Sequence, residues 1–283
     1  ANGNGSPYDT FTFSVNDGTT DSASNYTMTV NVTAVNDAPT VVNDTDSVTE
    51  GGTVTETTNS AGTVISDDSD TDGDSLSVSG TVTQTSATDT SGSSITINSP
   101  NSASVGSAVT GYYGQLTLNS NGTYSYVANQ SNADALDSGE SATDVFTFTV
   151  SDGTTTTSST ITFTVNGAND APTASDNTVT TTEDNNHTFA ASEFGFTDVD
   201  GDSLDHVTIA TLPSTGTLYL SGVAVSAGDQ ISAANISNLV FTPAANGNGS
   251  PYDTFTFSVN DGTTDSASNY TMTVNVTAVN DAP

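Results

Sequence analysis

The chain has 283 residues and a formal net charge of −33, from 33 acidic residues with no Lys and no Arg. That balance argues against nucleic acid and anionic membrane surfaces as partners. It also leaves each carboxylate to water, to hydrogen bonds or to a bound cation. The absence of Cys removes disulfide staples and thiolate metal sites, and no apolar run approaches the ~20 residues needed for direct membrane insertion as a helix.

In chain order, "DTFTFSVNDG" (9–18) and "NYTMTVNVTAV" (25–35) alternate apolar and small polar residues with period two and turn at Asp17-Gly18. This is the pattern of half-buried antiparallel strands. "NDAP" at 36–39 then punctuates the chain. Beyond it come Glu50 before a Gly51-Gly52 turn, the acidic run "DDSDTDGDSL" (67–76), "GYYGQLTLNSNGTYSYVAN" (111–129), and "ALDSGESATDVFTFTVSDG" (135–153). "STITFTVNGA" (159–168) is a further strand and leads into a second Asn-Asp-Ala-Pro at 169–172. The remainder carries "TTED" (181–184), "TDVDGDSL" (197–204), and the strand pair "DTFTFSVNDG" and "NYTMTVNVTAV" once more, before a third "NDAP" closes the chain. No segment offers a helical stripe.

Leu, Ile, Val and Phe make up 54 of the 283 residues, just under the roughly 20% below which highly charged chains are usually unfolded. The strand patterning points the other way. A fold that requires an external counter-charge reconciles the two.

Residues 1–39 recur letter for letter at 245–283, an offset of 244. Cutting after each "NDAP" gives 40–172 and 173–283, whose lengths of 133 and 111 residues together equal that offset. The repeating unit is therefore two different domains, and residues 1–39 read as the C-terminal part of a preceding copy within a longer polymer. The expected fold is all-β: antiparallel β-sandwiches in a linear array.

In such sandwiches the turns at the incoming end lie beside the linker. At the junction before 173–283 these are Asn169 and Asp170 of the linker, Asp198, Asp200 and Asp202 of one turn, and Asp261 of another. The outgoing end of 40–172 would add Glu50, Glu140 and Asp144. The junction before 40–172 has Asn36, Asp37, Asp68, Asp70, Asp72, Asp74 and Asp152, and the outgoing end of 173–283 has Glu183 and Asp253. Two carboxylates 4 Å apart repel by about 4 kcal/mol at an effective dielectric of 20. Without a basic residue only a cation offsets this, and Ca2+, which takes six to eight oxygens in flexible geometry, suits the set better than Mg2+.

"VNDAP", "TTED", "TDVDGDSL" and "FSVNDG" together resemble the cadherin-like repeats of giant bacterial (RTX-type) surface adhesins. Residues 40–172 resemble the related VCBS repeat. The resemblance implies Ig-like sandwiches, calcium at the junctions, secretion to a bacterial cell surface (a Gram-negative host in a saline setting) and an extender role in adhesion. It carries junctional ligand roles to Asn169, Asp170, Glu50, Asp198 and Asp200. The partners it implies are neighbouring repeats of the same chain and other copies in a fibre.

Two further readings are a self-assembling filament or sheath, and a glycan-binding module using exposed loops around Tyr112 and Tyr113. Catalysis has little to stand on. His187 and His206 are isolated and read as surface or packing residues, and no Cys or Lys nucleophile exists. "DSDTDG" (68–73) begins like an EF-hand loop but has Ser79 at the twelfth position and no flanking helices.

Overall fold

The computed structural model describes residues 3–57 and 62–280, so the last three residues of the closing "NDAP" lie outside it. Almost all regular structure is strand; the helical pieces are single turns at Ser131–Asp134, Ala191–Phe194 and Ala233–Asn238. The chain divides into two compact units, 1–130 with 141–165, and 131–140 with 166–283. The linker residues 166–172 thus pack with the domain they lead into, and residues 131–140 join them, since Gly167 N–H donates to the Glu140 carbonyl at 3.0 Å.

In the first unit one sheet orders Asp44–Thr49, Thr156–Asn166, Ser141–Ser151, Ser77–Thr88 and Ser94–Ile95. The other orders Thr53–Glu56, Tyr124–Val127, Gln115–Leu118 and Ala108–Thr110. Period-two alternation in "SATDVFTFTVS" buries every second side chain, so Phe146, Phe148 and Val150 enter the core while the threonines stay outside. The opposite sheet contributes Tyr126, whose ring stacks on Phe163 at 4.1 Å. Each such ring, fully buried, is worth about 1.5–3 kcal/mol of transfer free energy.

The same unit holds a two-stranded hairpin, Gly5–Phe13 against Tyr26–Val32.

In the second unit the sheets run Asn177–Thr182, Tyr270–Thr277, Gly249–Asn260, His206–Thr211, Gln230–Ser232, and His187–Thr188, Leu239–Thr242, Thr217–Leu220, Val223–Ala224. Phe255, Phe257, Met272 and Val274 fill the space between them. In this unit Asn177–Thr182 runs parallel to Tyr270–Thr277, a departure from the antiparallel expectation. The first strand leaves the linker and travels in the same direction as the last, so the two can only pair in parallel once they share an edge.

Candidate metal centres

The two acidic turns are built alike. In the first unit the linker bridges to the acidic turn through Thr40 N–H to the Ser69 carbonyl (2.8 Å) and Ser69 N–H to the Thr40 carbonyl (3.0 Å). In the second, Thr173 and Thr197 exchange the same pair at 2.8 Å each. This clamp brings the Asn-Asp linker onto the turn. Asp37 N–H then donates to Asp72 Oδ2 at 2.7 Å, and Asp170 N–H to Asp200 Oδ2 at 2.7 Å. Inside each turn, Asp70 Oδ1 accepts Asp74 N–H at 3.3 Å and Asp198 Oδ1 accepts Asp202 N–H at 3.1 Å.

The asparagines are oriented identically. Asn36 Nδ2 donates to the Asp37 carbonyl (2.8 Å) and Asp152 Oδ2 (2.9 Å), while Asn169 Nδ2 donates to the Asp170 carbonyl (2.7 Å) and Asp261 Oδ2 (3.2 Å). Because the amide nitrogen is engaged with those acceptors, its Oδ1 is presented on the other side. Asp152 and Asp261 are themselves fixed by Asx turns, accepting two backbone N–H groups each at 2.6 Å, from Thr154 and Thr155, and from Thr263 and Thr264. The Asn36 amide, then the Thr155 N–H, holds Asp152 well below the usual carboxylate range. Burial pulls Asp261 upward, but the Thr264 and Thr263 amides with Asn169 outweigh it and keep this group low as well. Both are therefore firmly ionised.

The remaining oxygens are what a cation would need. One oxygen from each of Asp70, Asp72 and Asp74 lies within 4.8 Å of the others. Asp70 Oδ2 is buried with no hydrogen-bond partner, as are Asp198 Oδ2 and Asp200 Oδ1 in the second turn. Burial, then the charges of Asp170, Asp198 and Asp137, raises Asp200 despite the N–H it accepts from Asp170. Burial followed by Asp137, Asp198 and Asp261 raises Asp202. In a chain with no Lys or Arg such oxygens are left to water, to a proton or to a metal ion. An all-oxygen set of carboxylates, an amide and backbone carbonyls fits calcium.

The structure thus brings together Asn36, Asp37, Asp70, Asp72, Asp74 and Asp152 in the first unit, and Asn169, Asp170, Asp198, Asp200, Asp202 and Asp261 in the second. Asp137 joins the second set, acting on Asp200 and Asp202; the sequence reading passed over it for Glu140. Glu140 instead folds back, its Oε2 accepting Asp137 N–H at 3.3 Å.

Other expected ligands have different work. Asp68 Oδ1 accepts Val42 N–H at 2.8 Å, and this side chain is neighbour to Asp44 and Asp67. Asp144 is wholly buried and already saturated: it accepts the N–H groups of Tyr112, Tyr113 and Gly114 (2.9–3.1 Å), Gln84 Nε2 (3.0 Å) and the Tyr126 hydroxyl (2.8 Å). Asp253 does the same in the second unit, accepting the N–H groups of Ser214, Thr215 and Gly216 at 3.0, 2.6 and 3.0 Å. These two acids pin a glycine-containing loop to a core strand. Glu183 is buried, with Oε1 accepting Val279 N–H at 2.5 Å and Oε2 accepting Asn248 Nδ2 at 3.2 Å, which ties it to the outgoing linker. Glu50 is half-buried beside the Gly51 turn in the first unit.

The tyrosines that the glycan-binding reading needs exposed pack edge-on at 5.0 Å, with Tyr112 half-buried. Tyr113 is buried, and its hydroxyl donates to the Thr88 carbonyl at 3.0 Å, because the loop that carries it is drawn inward by Asp144. His187 sits against Glu193 at 3.2 Å, and His206 lies against Asp205 at 2.8 Å and Asp265 at 3.9 Å.

Two family models match this arrangement: the bacterial cadherin-like domain over residues 36–167, and the bacterial Ig domain over residues 169–277. Neither match reaches half of the chain; the chain is similar to these two domain types in succession. The cadherin-like description falls on the first domain, where the sequence reading placed the VCBS resemblance, and the Ig description on the second, where it placed the cadherin-like one. Such domains are typical of extracellular surface proteins and are typically structural rather than enzymatic, and cadherin-like domains generally bind calcium. Among the described residues no helix is long and apolar enough to cross a membrane.

Similar solved structures include the EC3-6 fragment of protocadherin gammaB7, titled a cis-dimer structure, at 15% identity and TM-score 0.40, covering 94% of this chain and 56% of that one. Human protocadherin-24 EC1-2 has 14% identity and TM-score 0.40, covering 84% and 95%. An endo-fucoidan hydrolase of glycoside hydrolase family 107 has 18% identity and TM-score 0.28, covering 96% of this chain and 34% of the enzyme. The chain thus spans about a third of the hydrolase and about half of the gammaB7 fragment. No curated protein sequence matches it.

Proposed function

We propose that the chain is a non-catalytic, calcium-stiffened spacer of a large bacterial surface protein, projecting distal adhesive modules away from the cell. The observation that carries this reading is the duplicated turn. Two linkers sharing Asn-Asp-Ala-Pro are clamped on two acidic turns by matching hydrogen bonds, and each turn holds at least one buried carboxylate oxygen without a donor in a chain that contains no Lys or Arg.

Calcium held by Asn36, Asp70, Asp72 and Asp74, and by Asn169, Asp198, Asp200 and Asp137, would neutralise the clusters and lock each linker to the turn below it. Binding of this kind contributes folding free energy, because only the folded chain assembles the ligands. The acids that serve as structural pins, Asp144 and Asp253, fall outside the ligand set. The partners in this reading are neighbouring repeats, and the setting is extracellular and calcium-rich.

Melting curves and solution scattering with calcium and with chelator test the proposal. Chelation is expected to lower the melting temperature sharply and to change the scattering profile. Curves that superimpose overturn it.

A further inference from the structure

The outer face of the first unit's larger sheet carries no charge. On Ser141–Ser151 the outward positions include Thr143, Thr147 and Thr149, set between buried Phe146, Phe148 and Val150. On Thr156–Asn166 they include Thr160, Thr162 and Thr164, set between buried Ile161, Phe163 and Val165. The acids of this sheet point the other way. Asp144 is wholly buried, and Asp44 and Asp46 share the parity of buried Val48, opposite to Thr45, Ser47 and Thr49. The second unit does not repeat this. On its larger sheet, outward-facing His206 has Asp205 at 2.8 Å and Asp265 at 3.9 Å, and Asp176 accepts the Thr271 N–H at 2.7 Å.

Hydroxyls on the uncharged face satisfy one another. Thr88 and Thr143 Oγ1 lie 2.7 Å apart, Thr85 and Thr147 Oγ1 3.1 Å, and Thr149 Oγ1 donates to the Ser79 carbonyl at 2.7 Å. Pairing across strands turns these polar atoms toward each other, which lowers the cost of taking them out of water. A partner therefore meets a lattice of small β-branched side chains, a surface that interlocks when two sheets stack about 10 Å apart.

We propose that this face is a self-docking surface whose occupant is the same face of a second copy of the chain. Charge selects the occupant. Each copy has 33 acids and no Lys or Arg, so a contact through the acidic turns sets like charges against each other, whereas this face meets its counterpart with none between them. A neutral glycan fits less well: small-ligand sites are concave and lined by aromatic side chains, and the outward positions of this sheet hold no aromatic ring. Four strands about 4.8 Å apart and about 30 Å long present roughly 600 Å² per copy, below the ~800 Å² per partner of a standard stable interface. The contact is weak, with a dissociation constant of about 0.1–1 mM, and needs salt to screen the net charge. It involves neither acidic turn and does not rest on the calcium reading.

Sedimentation and small-angle scattering of residues 1–283 from about 0.05 to 2 mM test it, in chelator and about 0.5 M NaCl. The mean mass is expected to rise toward that of a dimer. Thr162→Asp should weaken association at least tenfold, because it buries like charges in the contact. Thr162→Asn has the same shape without the charge and should stay within about threefold of the parent; melting curves show that both variants fold. A parent that remains monomeric at the highest concentration overturns the proposal. So does association that Thr162→Asp leaves intact, and its loss in Met28→Asp would then place the contact on the hairpin, where Met28 is 48% exposed. A monomeric chain retained on cellulose through Thr162 would make a glycan the occupant and overturns it too. Association as expected, together with melting that ignores calcium, would sink the metal reading alone.

Discussion

Asp70→Asn separates the two roles of the acidic turn, because its effect should change sign with calcium. Asp70 Oδ1 accepts Asp72 N–H at 2.8 Å and Asp74 N–H at 3.3 Å, bonds that an asparagine oxygen retains. Oδ2 is the buried oxygen without a partner, and an amide nitrogen in its place becomes a donor facing the other carboxylates. Charges within 4.8 Å repel by about 3.5 kcal/mol at an effective dielectric of 20 and about 0.9 kcal/mol in water. Asp70 is half-buried, and it has two such neighbours. Net relief of about 1–2 kcal/mol after screening is therefore expected in chelator, a rise of about 3–6 °C for a domain of this size. With calcium the variant loses a charged ligand, and its affinity should fall by roughly 10- to 100-fold, about 1.4–2.8 kcal/mol. Calorimetric melting at several calcium concentrations reads both arms. An asparagine variant less stable than the parent in chelator, or one whose calcium dependence matches the parent, refutes the reasoning.

Asp144→Ala strands three backbone N–H groups and the Tyr126 hydroxyl inside the first domain, and should cost about 3–5 kcal/mol whether or not calcium is present. Denaturant titration in chelator and in calcium checks that the two losses agree. Gly216→Ala places a Cβ against the buried Phe241 ring, so about 1–3 kcal/mol should be lost with calcium affinity intact; a calcium titration beside the melt separates the two. Asp44 is pushed up to about 7 by burial, then by Asp67 and Asp68. A carboxyl raised on folding stabilises below its unfolded pKa of 3.8 and loses that contribution as pH rises through the folded value. In chelator, melting of the first domain should therefore rise as pH falls from 8 toward 5, and Asp44→Asn should flatten the trend; a parent that melts lower at pH 5 contradicts it.

Much of this was legible in the residues. Period-two alternation located the long strands. Three alternating carboxylates after an Asn-Asp linker identified both clusters, because turn chemistry alone asks for fewer acids.

The rest depends on contacts distant in sequence. Asp144 meets Tyr112–Gly114 some thirty residues away, and Asp253 meets Ser214–Gly216 nearly forty away. An acid inside a strand looks the same whether it pins a buried loop or faces a junction. A more local matter was also hidden: Glu140 folds back to accept the Asp137 N–H, while the charge of Asp137 acts on Asp200 and Asp202.

The most direct test of calcium at the clamped linkers is a crystal of residues 1–283 grown in millimolar calcium, with anomalous difference density measured for calcium or for a lanthanide soaked in its place. The account predicts peaks among Asp70, Asp72 and Asp74 and beside Asp198 and Asp200, with Asn36 and Asn169 Oδ1 turned toward them. Maps with no peak at either turn, and carboxylates bridged by water alone, would contradict it.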